Sequence, residues 1–257
     1  MKLTQRNYFS PKASLEYMGV SQFKAFQKCP ASALAEIKGR YKQEKTTPLL
    51  VGSYVDSFFE GTLTQFKLEN PEIFKRDGSL KNEYVQAEAI IQRIHKDRLF
   101  MKYLSGKKQV IMTGEINGVK VKIKVDSLLP DKIVDLKIMR DFQNVYVPDV
   151  GKVPWFEGWS YELQGAVYQE IVRQNTGKRL PFYLAAATKE KVTDLDIVHL
   201  DDEMLERALI RFEQEVEYFD AIKKGAIEPF RCEKCDYCKE TKVLKEPTES
   251  ETFYLDI

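Results

Sequence analysis

Apolar residues recur at helical spacing through residues 20–37, where Phe23 and Phe26 fall three apart behind a candidate cap, Ser21. Pro30 stands directly after Cys29. Proline lacks an N–H and its ring meets the preceding turn, so the pattern predicts a helix, a break and a second helical stretch. Residues 49–63 place Val51, Val55, Phe58 and Phe59 on one face, a buried helix that also holds Gly52 and Asp56. A polar stretch at 69–81 reads as a loop, and 82–103 as one amphipathic helix. The centre then changes period: 110–117, 119–128 and 132–138 alternate or run in β-branched residues. Asn117-Gly118 is the dipeptide preferred in two-residue hairpin turns and Pro130-Asp131 marks the next turn, predicting three consecutive antiparallel strands. A long helix is expected over 155–175, closed by Thr176-Gly177. Strands follow at 181–188 and 195–199. A capped helix over 201–224 carries Leu205, Leu209, Phe212, Val216 and Phe219 as its apolar stripe.

Helices before, between and after a run of strands predict one α/β domain over 1–257, a central mixed sheet flanked by helices with its core at about 45–225. Hydrophobic residues make up 43% of the 257, and 13 Gly with 10 Pro exclude a collagenous or low-complexity chain. No apolar run approaches the roughly 20 residues that span a bilayer, so no membrane partner is expected. The opening MKLTQRNYF lacks the apolar stretch of a secretory leader, which points to the cytoplasm. Lys and Arg number 40 against 39 Asp and Glu, a net charge of +1. Such a balance disfavours a protein that holds nucleic acid through a global positive field, though a local groove remains open, with Lys120, Lys122, Lys124 and Arg140 as candidates.

The chemistry concentrates on the hairpin. Residues two apart in a strand share a face, so Asp135 and Lys137 point the same way, and Asp126 near the end of the preceding strand can meet them. Two carboxylates and an ammonium beside Ile133, Val134 and Leu136 are costly to bury unless compensated. A hard divalent cation, Mg2+ or Mn2+, would compensate them and could activate water at a phosphate, with Lys137 orienting or deprotonating that water. The simpler alternative is an ordinary cross-strand ion pair at a sheet end.

With its surroundings, D-x(8)-D-x-K followed by Gln164-x-x-x-Tyr168 resembles the PD-(D/E)xK nuclease superfamily, and within it the RecB-like and RecE-like (exonuclease VIII) exonucleases. Gly52-Ser53-Tyr54-Val55-Asp56 resembles their G-x-x-x-H helix motif, with Asp56 where histidine is usual. Asp126 and Asp135-Leu136-Lys137 match the core motif, although Ser127 follows Asp126 where an apolar residue is customary. The resemblance implies a restriction-endonuclease-like core. It also implies Mg2+ or Mn2+ on Asp126, Asp135 and the Leu136 carbonyl, completed by Asp56 and Glu115. Catalytic roles fall to Lys137, Asp126 and Asp135, with Gln164 and Tyr168 supporting the carboxylates or contacting the substrate strand. A carboxylate at position 56 adds charge and two oxygens, favouring a harder ion.

The cysteines form a second constellation. Cys232, Cys235 and Cys238 follow C-x2-C-x2-C while Cys29 stands alone, and three thiols at that spacing can converge on a metal. The run is tighter than the paired knuckles of a zinc ribbon, and three close thiolates with one distant cysteine can hold a four-iron cluster. The Cys29-Pro30 element resembles that of AddB and of CRISPR-associated nucleases, where one early cysteine joins three late ones on a 4Fe–4S cluster; the last gap is shorter here. Zinc stays open as the alternative. Either would staple 20–40 to 228–240 and close a long loop. His95 and His199 have no ligand partner at helical spacing.

The resemblance implies a metal-dependent DNA exonuclease resecting linear duplex from 5′ to 3′ for phage-type recombination. Its partners, in a bacterial or phage-infected cell, would be DNA and a single-strand annealing protein of the RecT type, with a second copy of itself, as a homo-oligomer, a further candidate. The rivals are a CRISPR-associated-type single-strand nuclease, a non-catalytic DNA-binding module of the same fold, and a zinc-binding interaction module.

Overall fold

The computed structural model describes residues 1–244 with 246 and 247, so the end of the expected domain lies outside the described residues. The N-terminal part is helical: α1 (Pro11–Glu16), α2 (Val20–Lys28), α3 (Pro30–Ile37), α4 (Thr47–Glu60) and α5 (Leu63–Glu69). The break at Pro30 falls where expected. Cys29 is at once the last cap of α2 and the first of α3, in an extended conformation. Gly19, not Ser21, caps the start of α2, leaving Ser21 inside the first turn. After a 3-10 turn (Pro71–Ile73), the expected single helix over 82–103 is two, α6 (Asn82–His95) and α7 (Arg98–Tyr103). Asp97 breaks it by accepting a hydrogen bond from Phe100 N at 2.9 Å, a local cap that competes with helix continuation.

The sheet then forms from β1 (Lys107–Ile116), β2 (Val119–Leu128) and β3 (Ile133–Met139). Asn117 and Gly118 both take positive φ, 46° and 72°, the turn geometry whose twist matches the flanking strands. Two short strands that sequence periodicity did not reveal, β4 (Val145–Val147) and β5 (Gly151–Val153), make a separate hairpin. The expected long helix is split into α8 (Trp155–Gly158) and α9 (Tyr161–Thr176) because Ser160 adopts left-handed backbone, φ 52°. β6 (Phe182–Thr188), β7 (Leu195–Leu200), α10 (Asp202–Lys224) and α11 (Asp236–Glu240) complete the described chain. Strand order is β1-β2-β3-β6-β7, with β3 and β6 parallel and the other neighbours antiparallel. A parallel pair needs a long crossover, which is the role of α9.

Each face of the sheet carries its own core. On one, α9, α10 and α2 bring Phe23, Phe26, Val167 and Phe212 against Val121, Ile123 and Phe182. Gly165 permits this contact: a Cβ there would stand 2.8 Å from both Leu205 Cδ2 and Phe182 Cδ1. On the other, α4, α6 and α7 pack Val51, Tyr54, Ile90 and Phe100 on Val134, Leu136 and Ala185. β3 therefore alternates, Val134 and Leu136 towards α4, Asp135 and Lys137 towards α9. No helix among the described residues is long and apolar enough to cross a membrane.

Candidate active site

β2 and β3 are paired only at Ser127–Val134 and Leu128–Ile133; beyond that point the strands part. Asp126 and Asp135 are the next residues on either arm of this fork. The opposite edge of β2 is also disturbed, because its ladder to β1 skips Gln109 and Asp126, and Gln109 has φ 51°. Asp126 is held across the opening, with Oδ2 accepting from Leu136 N at 3.0 Å and Oδ1 from Gln109 Nε2 at 3.1 Å.

Asp135 is buried, and Gln164 Nε2 of α9 donates to its Oδ1 at 2.6 Å. Its other oxygen meets the Lys137 ammonium in an ion pair. Burial pushes Asp135 up to about 7, Lys137 pulling it down and Asp126 adding to the rise. Burial alone would lower Lys137, but Asp135 and Asp126 outweigh it and hold the ammonium above the ordinary lysine value. Tyr161 lies beneath it, ring centre 4.9 Å from Nζ, while Lys24 Nζ sits 5.2 Å from the same ring and donates to Trp159 O at 3.0 Å. Burial first, and Lys137 second, bring the Lys24 ammonium down to about 8. One turn beyond Gln164, the Tyr168 hydroxyl donates to Lys124 O at 3.1 Å, so it secures the β2 backbone and touches neither carboxylate.

Asp56 projects from α4 into the same region. Its Oδ1 is shut off from solvent without a hydrogen-bond partner, and burial, reinforced by Asp126, drives its pKa well up. Gln109 Oε1 is likewise buried and unpartnered. Asp56, Gln109, Asp126 and Leu136 line one cavity of about 10 Å3, room for a single water or small ion. Unpartnered buried oxygens beside a carboxylate are expensive, and a divalent cation is the charge that relieves them. The donor set thus fits the Mg2+ or Mn2+ that the resemblance implies.

Glu115 does not join it. The residue is exposed, its backbone tied to Gln174, and the register sets it opposite Lys120 beside the turn. Six residues of strand separate Lys120 from Asp126, about 20 Å at the usual rise. Gln109 and Glu60 occupy the cavity wall in its place. Glu60 was legible as the i+4 neighbour of Asp56 on one helix face, whereas the neutral Gln109 carried no chemical signal. Lys122 is not part of a basic groove either: it is buried, its Nζ donating to Tyr8 O at 2.6 Å over the Tyr8 ring. Lys120 pairs with Glu16 at 3.3 Å, and Lys124 lies over Phe9. Of the four candidates, Arg140 reaches the adjoining cleft. That cleft, about 690 Å3, is also lined by Ser53, Asp56, Lys137, Trp159 and Lys189.

Gln164 is expected to act through Asp135. In Gln164→Leu the carboxylate loses its 2.6 Å donor, and any turnover that depends on Asp135 is expected to fall about tenfold with substrate binding little changed. Steady-state kinetics that separate kcat from KM check this.

At the far side of α2 and α10, Cys29, Cys232, Cys235 and Cys238 come together, their sulfurs all within 4.8 Å of one another. None of the four is in a disulfide. Cys29 Sγ lies 3.6 Å from Cys238 Sγ, and Cys232 Sγ 4.0 Å from it. Backbone N–H groups of Lys234 and Cys235 aimed at the Cys232 sulfur bring that thiol down to about 6, whereas burial raises Cys235 and pushes Cys238 up to about 12.

A mixed sheet forked at D-x-K and flanked by helices on both faces is the core of the PD-(D/E)xK nuclease superfamily. The chain belongs to the family described as a PDDEXK-like domain of unknown function (DUF3799), which matches residues 19–241. Among solved structures, a crystal structure described as a "Putative exonuclease" from Eubacterium rectale is 49% identical, covers 100% of both chains and superposes with a TM-score of 0.97. No curated protein matches the sequence.

Proposed function

We propose that this protein is a divalent-metal-dependent exonuclease that hydrolyses phosphodiester bonds at the ends of linear DNA. The observation that carries the reading is the pair of buried, unpartnered oxygens, Asp56 Oδ1 and Gln109 Oε1, in a single-ion cavity shared with Asp126 and Leu136. The printed description of the Eubacterium rectale structure agrees with it. Asp56, Asp126, Asp135 and the Leu136 carbonyl would hold the ion. Bound there, it would supply Lewis-acid stabilisation of the phosphoryl charge and a water of lowered pKa.

The chain's own groups do the rest. Asp135 fixes the ammonium of Lys137, a residue that lines the adjoining cleft, and Gln164 fixes Asp135, so Lys137 would present its N–H groups towards an incoming water or phosphate oxygen. Its raised pKa suits it to positioning and charge stabilisation at neutral pH better than to proton abstraction. Asp126, tied to the Leu136 amide, keeps the fork from closing. The adjoining cleft offers cationic Arg140 and Lys189 for a phosphate backbone and the half-exposed Trp159 as a stacking platform for an unpaired base. Resection from the 5′ end, with the exposed strand passing to an annealing protein of the RecT type, is the polarity and pathway that the RecE-like likeness favours.

Linear duplexes labelled at the 5′ or 3′ terminus, beside a closed circular control, test the proposal. In Mg2+ or Mn2+ the linear duplexes are expected to release label as mononucleotides or short products while the circle survives. Cleavage of the circle, or no hydrolysis with any divalent ion, would defeat it.

A further inference from the structure

The geometry of the cysteine quartet points to a single tetrahedral zinc ion and not to the iron–sulfur cluster that the sequence resemblance implies. Zinc binds thiolate at about 2.3 Å, so four sulfurs at the corners of a tetrahedron stand about 3.8 Å apart. Thiolates on a four-iron cube point outward from its corners and stand roughly 6 Å apart. Here all four sulfurs lie within 4.8 Å of one another, with two separations of 3.6 and 4.0 Å. A cube does not fit between them; one ion does. The tight C-x2-C-x2-C run, which on spacing alone argued against zinc, is accommodated because its cysteines use different backbone devices. Cys232 and Cys235 form a turn in which Cys235 N donates to Cys232 Sγ at 3.3 Å, and Cys235 caps α11 while Cys238 lies within it. Cys29 arrives from the break between α2 and α3, positioned by Ala25 O accepting its N–H at 3.0 Å and by Ala31 N donating to Phe230 O at 3.1 Å.

The site is structural. Cys29 and Cys238 are buried, and four thiolates around zinc leave no open position for water or substrate. It ties the α2–α3 junction to the segment after α10, joining Cys29 to Cys238, which are 209 positions apart in the chain. This assignment rests on sulfur geometry alone and is independent of the nuclease reading.

Elemental analysis and absorption spectroscopy of protein purified without oxygen test it directly. One zinc per chain, no acid-labile sulfide and a colourless solution are expected. Release of one zinc equivalent on titration with a mercurial, read by a zinc-sensitive dye, is expected for wild type. Replacement by Co2+ should give the visible absorption of tetrahedral thiolate cobalt. Cys235→Ser is expected to cut zinc content more than tenfold after dialysis against a chelator. If that variant does not fold, the mercurial titration of wild type decides the matter. Brown protein holding about four iron and four sulfide per chain would overturn the assignment, as would protein holding neither metal.

Discussion

Lys137→Ala is expected to lower the rate of phosphodiester hydrolysis by between about a hundredfold and a thousandfold, the range typical of removing one preorganised donor aimed at developing charge. The same variant is expected to stay folded, and the reason lies in its partner. Asp135 is buried, and burial already pushes it up to about 7 against the pull of Lys137. Without the ammonium the carboxyl takes up a proton and avoids becoming an isolated buried charge. The sign of the pH dependence follows. A carboxyl whose folded pKa lies above its unfolded value binds the extra proton in the native state, so its contribution is present at low pH and lost as pH rises through the folded value. Wild type and variant should therefore lose stability alike as pH rises from about 4 to about 7, and metal-free Lys137→Ala should go on losing it above about pH 7, by up to about 1.4 kcal/mol per pH unit, where wild type no longer does. Urea melts across that range measure it. A flat difference, or hydrolysis at the wild-type rate in Mg2+, would separate Lys137 from the chemistry.

Phe23→Ala carries the largest expected effect on stability, a loss of about 3–5 kcal/mol. The ring is fully buried, 4.4 Å from Phe212 and 5.2 Å from Phe219, and Phe26 stacks on Phe219 at 5.4 Å. These contacts join α2 to α10, so the cavity opens between an early and a late segment of the chain and cannot be closed by a local shift. Chemical denaturation should show a lower midpoint with an unchanged slope. The active-site fork lies on other elements, so specific activity of the folded fraction should be preserved.

The parts of this protein that were legible in its sequence are those where local chemistry and tertiary role agree. Asn117-Gly118 dictates its own turn, the β-branched runs dictate β2 and β3, and Asp135 and Lys137 share a face by strand periodicity. Asp56, Asp126, Asp135, Lys137 and Gln164 were identified as a set, and the fold brings them into one region. Glu115 was misplaced because order along the chain does not say which end of a hairpin carries the fork. Its closeness to the turn, visible in the sequence, was the sign that it lies at the wrong end. Gln109 escaped notice because its importance comes from an unusual backbone angle that no residue type announces. Lys122 looked solvent-facing by alternation, but Tyr8 folds over it, a contact between positions 114 residues apart. The short β4–β5 hairpin and the breaks at Asp97 and Ser160 depend on single-residue caps and turns, below the resolution of hydrophobic periodicity.

With the proposed zinc bound, the sulfur quartet would also set the path that a mechanical load takes through the molecule. Tension applied between Cys29 and the late cysteines would then pass through the ion that joins them. The sheet, the fork and the cleft all lie in the stretch of polypeptide between these anchor points, in parallel with the clamp and not in series with it. Pulling on Cys29 from its N-terminal side would then first draw out α1 and α2, while the carboxylates keep their spacing. The fork and its cleft would thereby be insulated from forces arriving along the protein's own backbone.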